Sequence, residues 1–549
     1  MLLLRFGGGC LSALVLVAAS AAEAGIDRRV PPGGDLQQAL NEARSGDRIL
    51  LEPGATYVGN FVLPVRDGTE FIVVTTDPAA PDLPAPGTRV GPEHSGRLAR
   101  IQSPNADPAL RTAPRAHHWR LQLVEFQGAS SSDVILLGDG GSAQRSAADV
   151  PYDLVIDRCY IHGDSALLTK RGIALNSART TIVGSYISEI ARPGQDSQAI
   201  AGWNGPGPFL IENNYLEAAA ENFLLGGAVP AISGLVPSDV TFRRNHVRKP
   251  LAWRERKLNV KNLFELKNAR RVLVEFNLFE YNWEAGQSGF AIVLTPRGER
   301  GRAPWATVED VTFRYNVVRH TASAVNLLGR DDEGPSGQLR RLKIVHNLFY
   351  DVNDDRWGGA GMFLQVGDGP ADIVVEHNTV LHTGTVVSAY GGSRSNPLPI
   401  VNFVYRDNLA RHNRYGVHGA SRAVGNDTLD VFFPAAVFIG NVLAGGKASL
   451  YPPDNFFPSV EEFEQQFMDT SDGNFQLKRD SSFRARASDG GDLGADVEKI
   501  RSGAPEEAKG RDRDRGPRRR VPGSPGAMAP AAVALVAGAA LLARAARAF

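Results

Sequence analysis

Eight asparagines, Asn214, Asn245, Asn277, Asn316, Asn347, Asn378, Asn408 and Asn441, are separated by 31, 32, 39, 31, 31, 30 and 33 residues, each inside one local pattern. In Val311-Thr312-Phe313-Arg314-Tyr315-Asn316-Val317-Val318 an alternating strand runs into the asparagine, and an apolar strand and a Gly-rich turn follow. A unit this short cannot bury its own apolar face, so units must stack, each strand pairing with its counterparts above and below at about 4.8 Å. The expected fold is all-β, a right-handed parallel β-helix over residues 25–500. The asparagine recurs because a primary amide both donates and accepts, so one side chain per coil satisfies turn backbone inside the stack. Two earlier units carry Cys159 and Ser185 at this place, which makes Cys159 a buried ladder residue and not a reactive thiol.

The flanks of the repeat carry their own expectations. Residues 36–43 are short and amphipathic, precede the strand-like Arg48-Ile49-Leu50-Leu51, and are predicted to be an N-terminal helix capping the open edge of the first coil. The Pro- and Gly-rich residues 77–118 read as a long excursion from an early coil, and Asn474-Phe475-Gln476-Leu477 with residues 489–495 as the closing segment. Residues 1–24 combine Arg5, an apolar stretch at 11–19 and Ala22-Glu23-Ala24, the three parts of a secretory signal peptide. Export is therefore expected, to the cell surface, the outer membrane or the extracellular space. Cys10 falls in that segment, leaving Cys159 without an intramolecular disulfide partner.

Residues 501–526, with Arg511, Arg513, Arg515 and Arg518-Arg519-Arg520 among prolines and glycines, read as a disordered charged linker. Residues 527–549 read as a membrane or sorting segment, uncharged from 527 to 543 and followed by Arg544 and Arg547. Their order resembles the C-terminal sorting tails of exported bacterial proteins and implies the membrane as a partner. Lys+Arg and Asp+Glu both total 60, but the tail holds the basic excess, so the body is mildly acidic. That balance lacks the basic surface of nucleic-acid binding, and nucleic acid is excluded as a partner. The expected state is a monomer.

The strand after each asparagine strand points alternate side chains outward. Aligned, these strands place Glu265, Val293, Asn326, Gln365, Ser388 and His418 in one outward column, a polar line suited to a sugar chain and equally to a solvated sheet face. Trp283 falls near a turn, where an indole can stack on a sugar ring or anchor a loop. Asp331, Asp332 and Glu333 share a turn and offer oxygen ligands for Ca²⁺, or are solvated turn residues. Four residues after the ladder position stand Lys249, Tyr281, His320, Asp351, His382 and His412, read as a buried polar stack.

With these repeats, residues 30–500 resemble exported right-handed β-helix proteins of the pectin-lyase-like superfamily, whose members commonly cleave acidic polysaccharides while others bind surfaces. Lys267 and Arg297 lie 30 residues, or one coil, apart, and are similar to the Lys and Arg pair of the chondroitinase B and alginate lyase branch. That resemblance implies β-elimination with Lys267 as base and Arg297 as acid. The branch follows its Arg with His-Gly-Asn, whereas Thr295-Pro296-Arg297-Gly298 stands here. Two functions are carried forward: a lyase of an acidic polysaccharide, and a noncatalytic cell-surface protein that binds carbohydrate or serves structurally.

Overall fold

The computed structural model describes residues 25–508 apart from 130–131, 165 and 471–472. Among the described residues three parallel sheets of 14, 13 and 12 strands run the length of a right-handed β-helix, and each coil contributes one strand to each sheet in turn. The alternation read from the sequence sets which side chains face in. Ile182, Ile211, Phe242, Val274, Phe313, Ile344, Val375, Tyr405 and Phe438 occupy one register of the first sheet and form a buried column.

The corner between the first and second sheets is built on the asparagines. Asn316 Oδ1 accepts from the Asn277 backbone N–H at 3.0 Å and from Asn277 Nδ2 at 2.9 Å, while Asn316 Nδ2 donates to Val274 O, Arg314 O and Asn347 Oδ1, each at 3.0 Å. The same bonds recur from coil to coil and end on Asn455, which takes the Asn441 amide. At the other end Ser185 N–H donates to Asn214 Oδ1 and Cys159 N–H to Ser185 Oγ, so both substitutes hold ladder positions. Burial pushes the Cys159 thiol up to about 12, which leaves it inert. The residue before each ladder asparagine is left-handed, from Asn213 at φ 54° to Gly440 at 71°, a conformation that non-glycine residues hold here because the amide bonds fix the turn.

The exposed face of the first sheet alternates charge from coil to coil. Arg243 bonds Glu212 at 2.9 Å, Arg314 bonds Glu275 at 2.7 Å, Arg271 bonds Asp239 at 2.6 Å and Arg341 bonds Asp310 at 2.5 Å. The helix Leu36–Glu42 caps the first coil with Leu36 and Leu40 buried, and Asp35 accepts from the Gln38 N–H at its N-terminus.

Three expectations are corrected. The excursion spans residues 77–98 and not 77–118, because Ala99–Gln102 returns to the stack between Thr56–Val58 and Val124–Gln127. The far end is closed by the helix Asn426–Phe432, which buries Leu429 and Phe432; Phe475, Leu477 and Leu493 join a separate cluster on the outside of the second sheet. Among the described residues no helix is long and apolar enough to cross a membrane, and the helices reach 7 residues where a span needs about 20. The transmembrane reading and the membrane partner are therefore not retained; residues 527–549, on which they rested, lie outside the described residues.

Two stability measurements follow. Asn316→Ala removes the acceptor of two Asn277 donors, and urea unfolding should give a loss of about 2–4 kcal/mol; a loss below about 0.5 kcal/mol would show that the ladder is dispensable. His162 Nε2 lies 3.0 Å from the buried Glu125 carboxylate. Burial alone would lower the imidazole, but Glu125 and Glu189 outweigh it and hold it up to about 8. Its contribution, on the order of 2 kcal/mol, is present in full below the unfolded value near 6.5 and is lost as pH rises through about 8. Wild type should lose its stability advantage over His162→Gln across that window, and parallel pH profiles would refute the assignment.

Candidate functional site

The outer face of the third sheet holds ionisable side chains that are out of water, among them Arg171, Glu221 and Glu265. Pairing places Glu265, Val293, Asn326, Gln365, Ser388 and His418 opposite one another on successive coils, the column expected from the strands. Gln365 Nε2 donates to Asn326 Oδ1 at 3.4 Å, and burial lowers the His418 imidazole. His418 stands five coils from Glu265, on the order of 24 Å away, so the two serve different parts of one flank.

Upstream lies a second outward column that was not found in the sequence: Asp133, Arg171, Gln198, Glu221 and Asn262, again in register. Arg171 donates to Asp133 at 2.8 Å and to Gln198 at 3.2 Å, Gln198 donates to Glu221 at 2.9 Å, and Asn262 donates to Glu265 at 3.1 Å. Lys261 lies 3.4 Å from Glu221 and also pairs with Asp196. Glu221 is 1% exposed and Glu265 2%, in positions that a plain solvated sheet face would leave in water. Burial and the neighbouring Glu265 raise the Glu221 carboxyl, the kind of perturbation that clusters at functional sites. Trp203 lies beside this network with its indole N–H on Gly140 O at 2.8 Å and the Arg171 guanidinium 5.1 Å from its ring centre. Arg171, Gln198, Glu221 and Asn262 each stand two places before an inward Ile173, Ile200, Phe223 or Phe264, at a strand start where simple alternation does not place them outward.

Lys267 and Arg297 occupy adjacent coils at the edge of this face, the Arg297 N–H donating to Lys267 O at 3.0 Å. Gly226 and Gly227, with φ of 93° and 80°, lie against the lysine; a Cβ at Gly226 would come within 2.9 Å of the Lys267 Cβ. Lys267 Nζ is 3.7 Å from Glu265 Oε1. Arg297 Nη1 donates to Asp331 at 2.8 Å and also to Asp332, whose charges, against the effect of burial, raise the guanidinium further.

The turn proposed for Ca²⁺ is spent on arginines. Asp331 takes Arg297 and the Gly298 N–H, Asp332 takes Arg297, and Glu333 pairs with Arg300 at 3.2 Å. Among the described residues no group of three His, Cys, Asp or Glu side chains is placed to hold a metal ion. Trp283 is 5% exposed, packed with Trp253, Trp357 and Tyr281 in an apolar cluster, so its face is closed to a sugar.

Behind Glu221, Lys249 is fully buried and its Nζ reaches Ala218 O, Ala220 O, Asn222 Oδ1 and Asn262 O at 2.8–3.1 Å. Burial pushes this ammonium down to about 7, against the pull of Glu221. It thus ties together the corner from which the strands of Glu221 and Asn262 start.

No family model and no curated protein matches the chain. Solved structures align with parts of the chain at low identity. The catalytic unit of a GH87 α-1,3-glucanase from Streptomyces thermodiastaticus is 13% identical, with a TM-score of 0.45 over 81% of this chain and 71% of its own. A mannuronic acid specific polysaccharide family 6 lyase from human gut microbiota is 12% identical, with a TM-score of 0.44 over 80% of this chain and 93% of its own. PfbA, a surface adhesin of Streptococcus pneumoniae, is 11% identical, with a TM-score of 0.35 over 65% of this chain and 83% of its own.

Lys249→Met should cost about 3–5 kcal/mol in urea unfolding, because four buried acceptors lose their donor. A cost below about 1 kcal/mol would show that the corner holds without the ammonium.

Proposed function

We propose that the protein binds an acidic polysaccharide along the outer face of the third sheet and cleaves it by β-elimination at Lys267 and Arg297. The observation that carries this reading is the pair itself: two cations on adjacent coils, their backbones bonded at 3.0 Å, beside a row of buried polar and ionisable groups. A uronate carboxylate needs a cation to neutralise it before its C5 proton can be taken. Lys267, as its neutral amine, takes that proton and becomes the ammonium, the C–H electron pair forms the C4–C5 double bond, and the C4–O bond breaks, with Arg297 as donor to the departing oxygen. Asn326 and Gln365 on the following coils hold sugar hydroxyls, and Trp203 stacks on a ring further up the groove. The carboxylates of the Asp331 turn do not fit a Ca²⁺ site, being engaged by Arg297 and Arg300.

A second reading has an observation of its own. Both cations already face carboxylates, Lys267 at Glu265 and Arg297 at Asp331, an arrangement that suits binding without turnover. One experiment separates the two. The full chain is incubated with alginate, pectate and chondroitin, and the ultraviolet absorbance of the unsaturated uronate product is followed. The lyase reading expects a rise that falls about 10²-fold or more in Lys267→Ala. A flat trace on every polymer, with the protein still retained on a polysaccharide column, establishes the binding reading instead.

A further inference from the structure

The outer face of the second sheet carries a different set of groups, unused by the groove on the third. Tyr160, Tyr186, Tyr215 and His246 stand in register on successive coils, with the Tyr186 and Tyr215 rings stacked at 4.0 Å. Two covers lie over this face. The excursion brings Leu83, Val90 and Leu98 into one cluster with Tyr160 and Tyr186, and the C-terminal helix brings Val497 and Ile500 into another with Leu278 and Val317. Where they meet they leave a cleft of about 830 Å³ lined by Tyr186, Arg89, Arg244, Glu93 and Glu507.

Basic side chains converge on one end of this cleft. Arg89 Nη1 donates to Glu507 Oε1 at 2.8 Å, His246 Nδ1 lies 3.7 Å from the same oxygen, and Arg319 Nη2 donates to the Glu507 carbonyl at 3.5 Å. Beneath them Glu280 takes His246 at 2.8 Å and Arg319 at 2.7 Å, with Arg248 at 4.0 Å, so one buried carboxylate already serves three basic groups. Tyr215 spends its hydroxyl on Glu217. Of the other lining carboxylates, Glu212 pairs with Arg243 and Arg244, Asp157 with Arg158 and Arg120, and Glu93 with His94. Arg89 is otherwise bonded to the carbonyl and side-chain oxygen of Asn213, which carry no charge. The carboxylate bonded to Arg89 is that of Glu507. Its own carboxyl is held down at about 2, because the His246 hydrogen bond and the Arg89 charge outweigh burial.

We propose that this cleft is a carboxylate-binding site for an acidic sugar, and that Glu507 occupies it as a ligand tethered to the chain. A uronate presents the same carboxylate on a ring whose apolar face suits the exposed side of the Tyr186 ring. The choice of a sugar acid rests on the polysaccharide reading above; the anion site rests on Arg89, His246 and Arg319.

The test uses the full chain and sodium glucuronate, titrated calorimetrically against sodium chloride at equal ionic strength. Glu507→Ala should bind glucuronate one to one, at least roughly tenfold more tightly than wild type, and the further change Arg89→Met should abolish that binding. Glu507→Gln keeps the shape, removes the charge and carries the test if the alanine variant does not fold. No saturable binding in either variant, equal binding by wild type, or binding that survives Arg89→Met overturns the proposal. Sodium acetate in place of glucuronate separates the two premises: acetate bound without glucuronate overturns the sugar assignment. The readout is binding at the second sheet, so a failed Lys267 turnover assay leaves it untouched.

Discussion

From Asn214 to Asn441 one buried amide per coil holds this molecule in register. A turn of some thirty residues must return the backbone to the same place each time, and an apolar core alone does not specify where. The asparagine does, because its oxygen takes two donors from the coil before and its nitrogen reaches carbonyls of that coil and the oxygen of the next. The left-handed residue ahead of it is affordable only while those bonds stand. Everything on the three faces inherits its alignment from this corner, including the line from Glu265 to His418.

The faces use that alignment differently. On the first sheet charges alternate in the open, where each pair contributes little to stability. On the third the charged column is sunk among its neighbours, so Arg171 and Glu221 are held by hydrogen bonds from coil to coil and Glu265 by Asn262 of its own strand. Burying charge costs several kcal/mol per ion unless it is paired. A solenoid with inexpensive apolar alternatives at every outward position has no structural need to bear that cost, which is why this face, and not the first, is the candidate groove.

The fold was legible because its signal is periodic. The asparagine spacing and the alternation of Val311, Phe313 and their counterparts fix coil length and inward faces without reference to anything distant in the chain. The stand-ins Cys159 and Ser185 were legible for the same reason. The site was legible only in part. The Glu265 to His418 column follows from strand parity, whereas Arg171, Gln198 and Glu221 sit at an irregular strand start, where parity between strand and corner breaks. Trp283 misled because a tryptophan near a turn looks exposed until the packing of Trp253 and Trp357 over it is known. Asp331 and Asp332 misled because a turn of carboxylates looks alike whether a cation or an arginine from the previous coil will meet it.

The alternation of Glu212, Arg243, Glu275 and Arg314 in one column of the first sheet, matched by Asp239, Arg271, Asp310 and Arg341 in a second column of the same face, gives the stack a parity. Solenoids grow and shrink in evolution by gaining or losing whole coils. Excising the Arg243 coil would lay Glu212 against Glu275, and duplicating it would lay arginine on arginine. Within this stretch the heritable unit is therefore the pair of coils, so changes of length that keep every charge opposed come in steps of two.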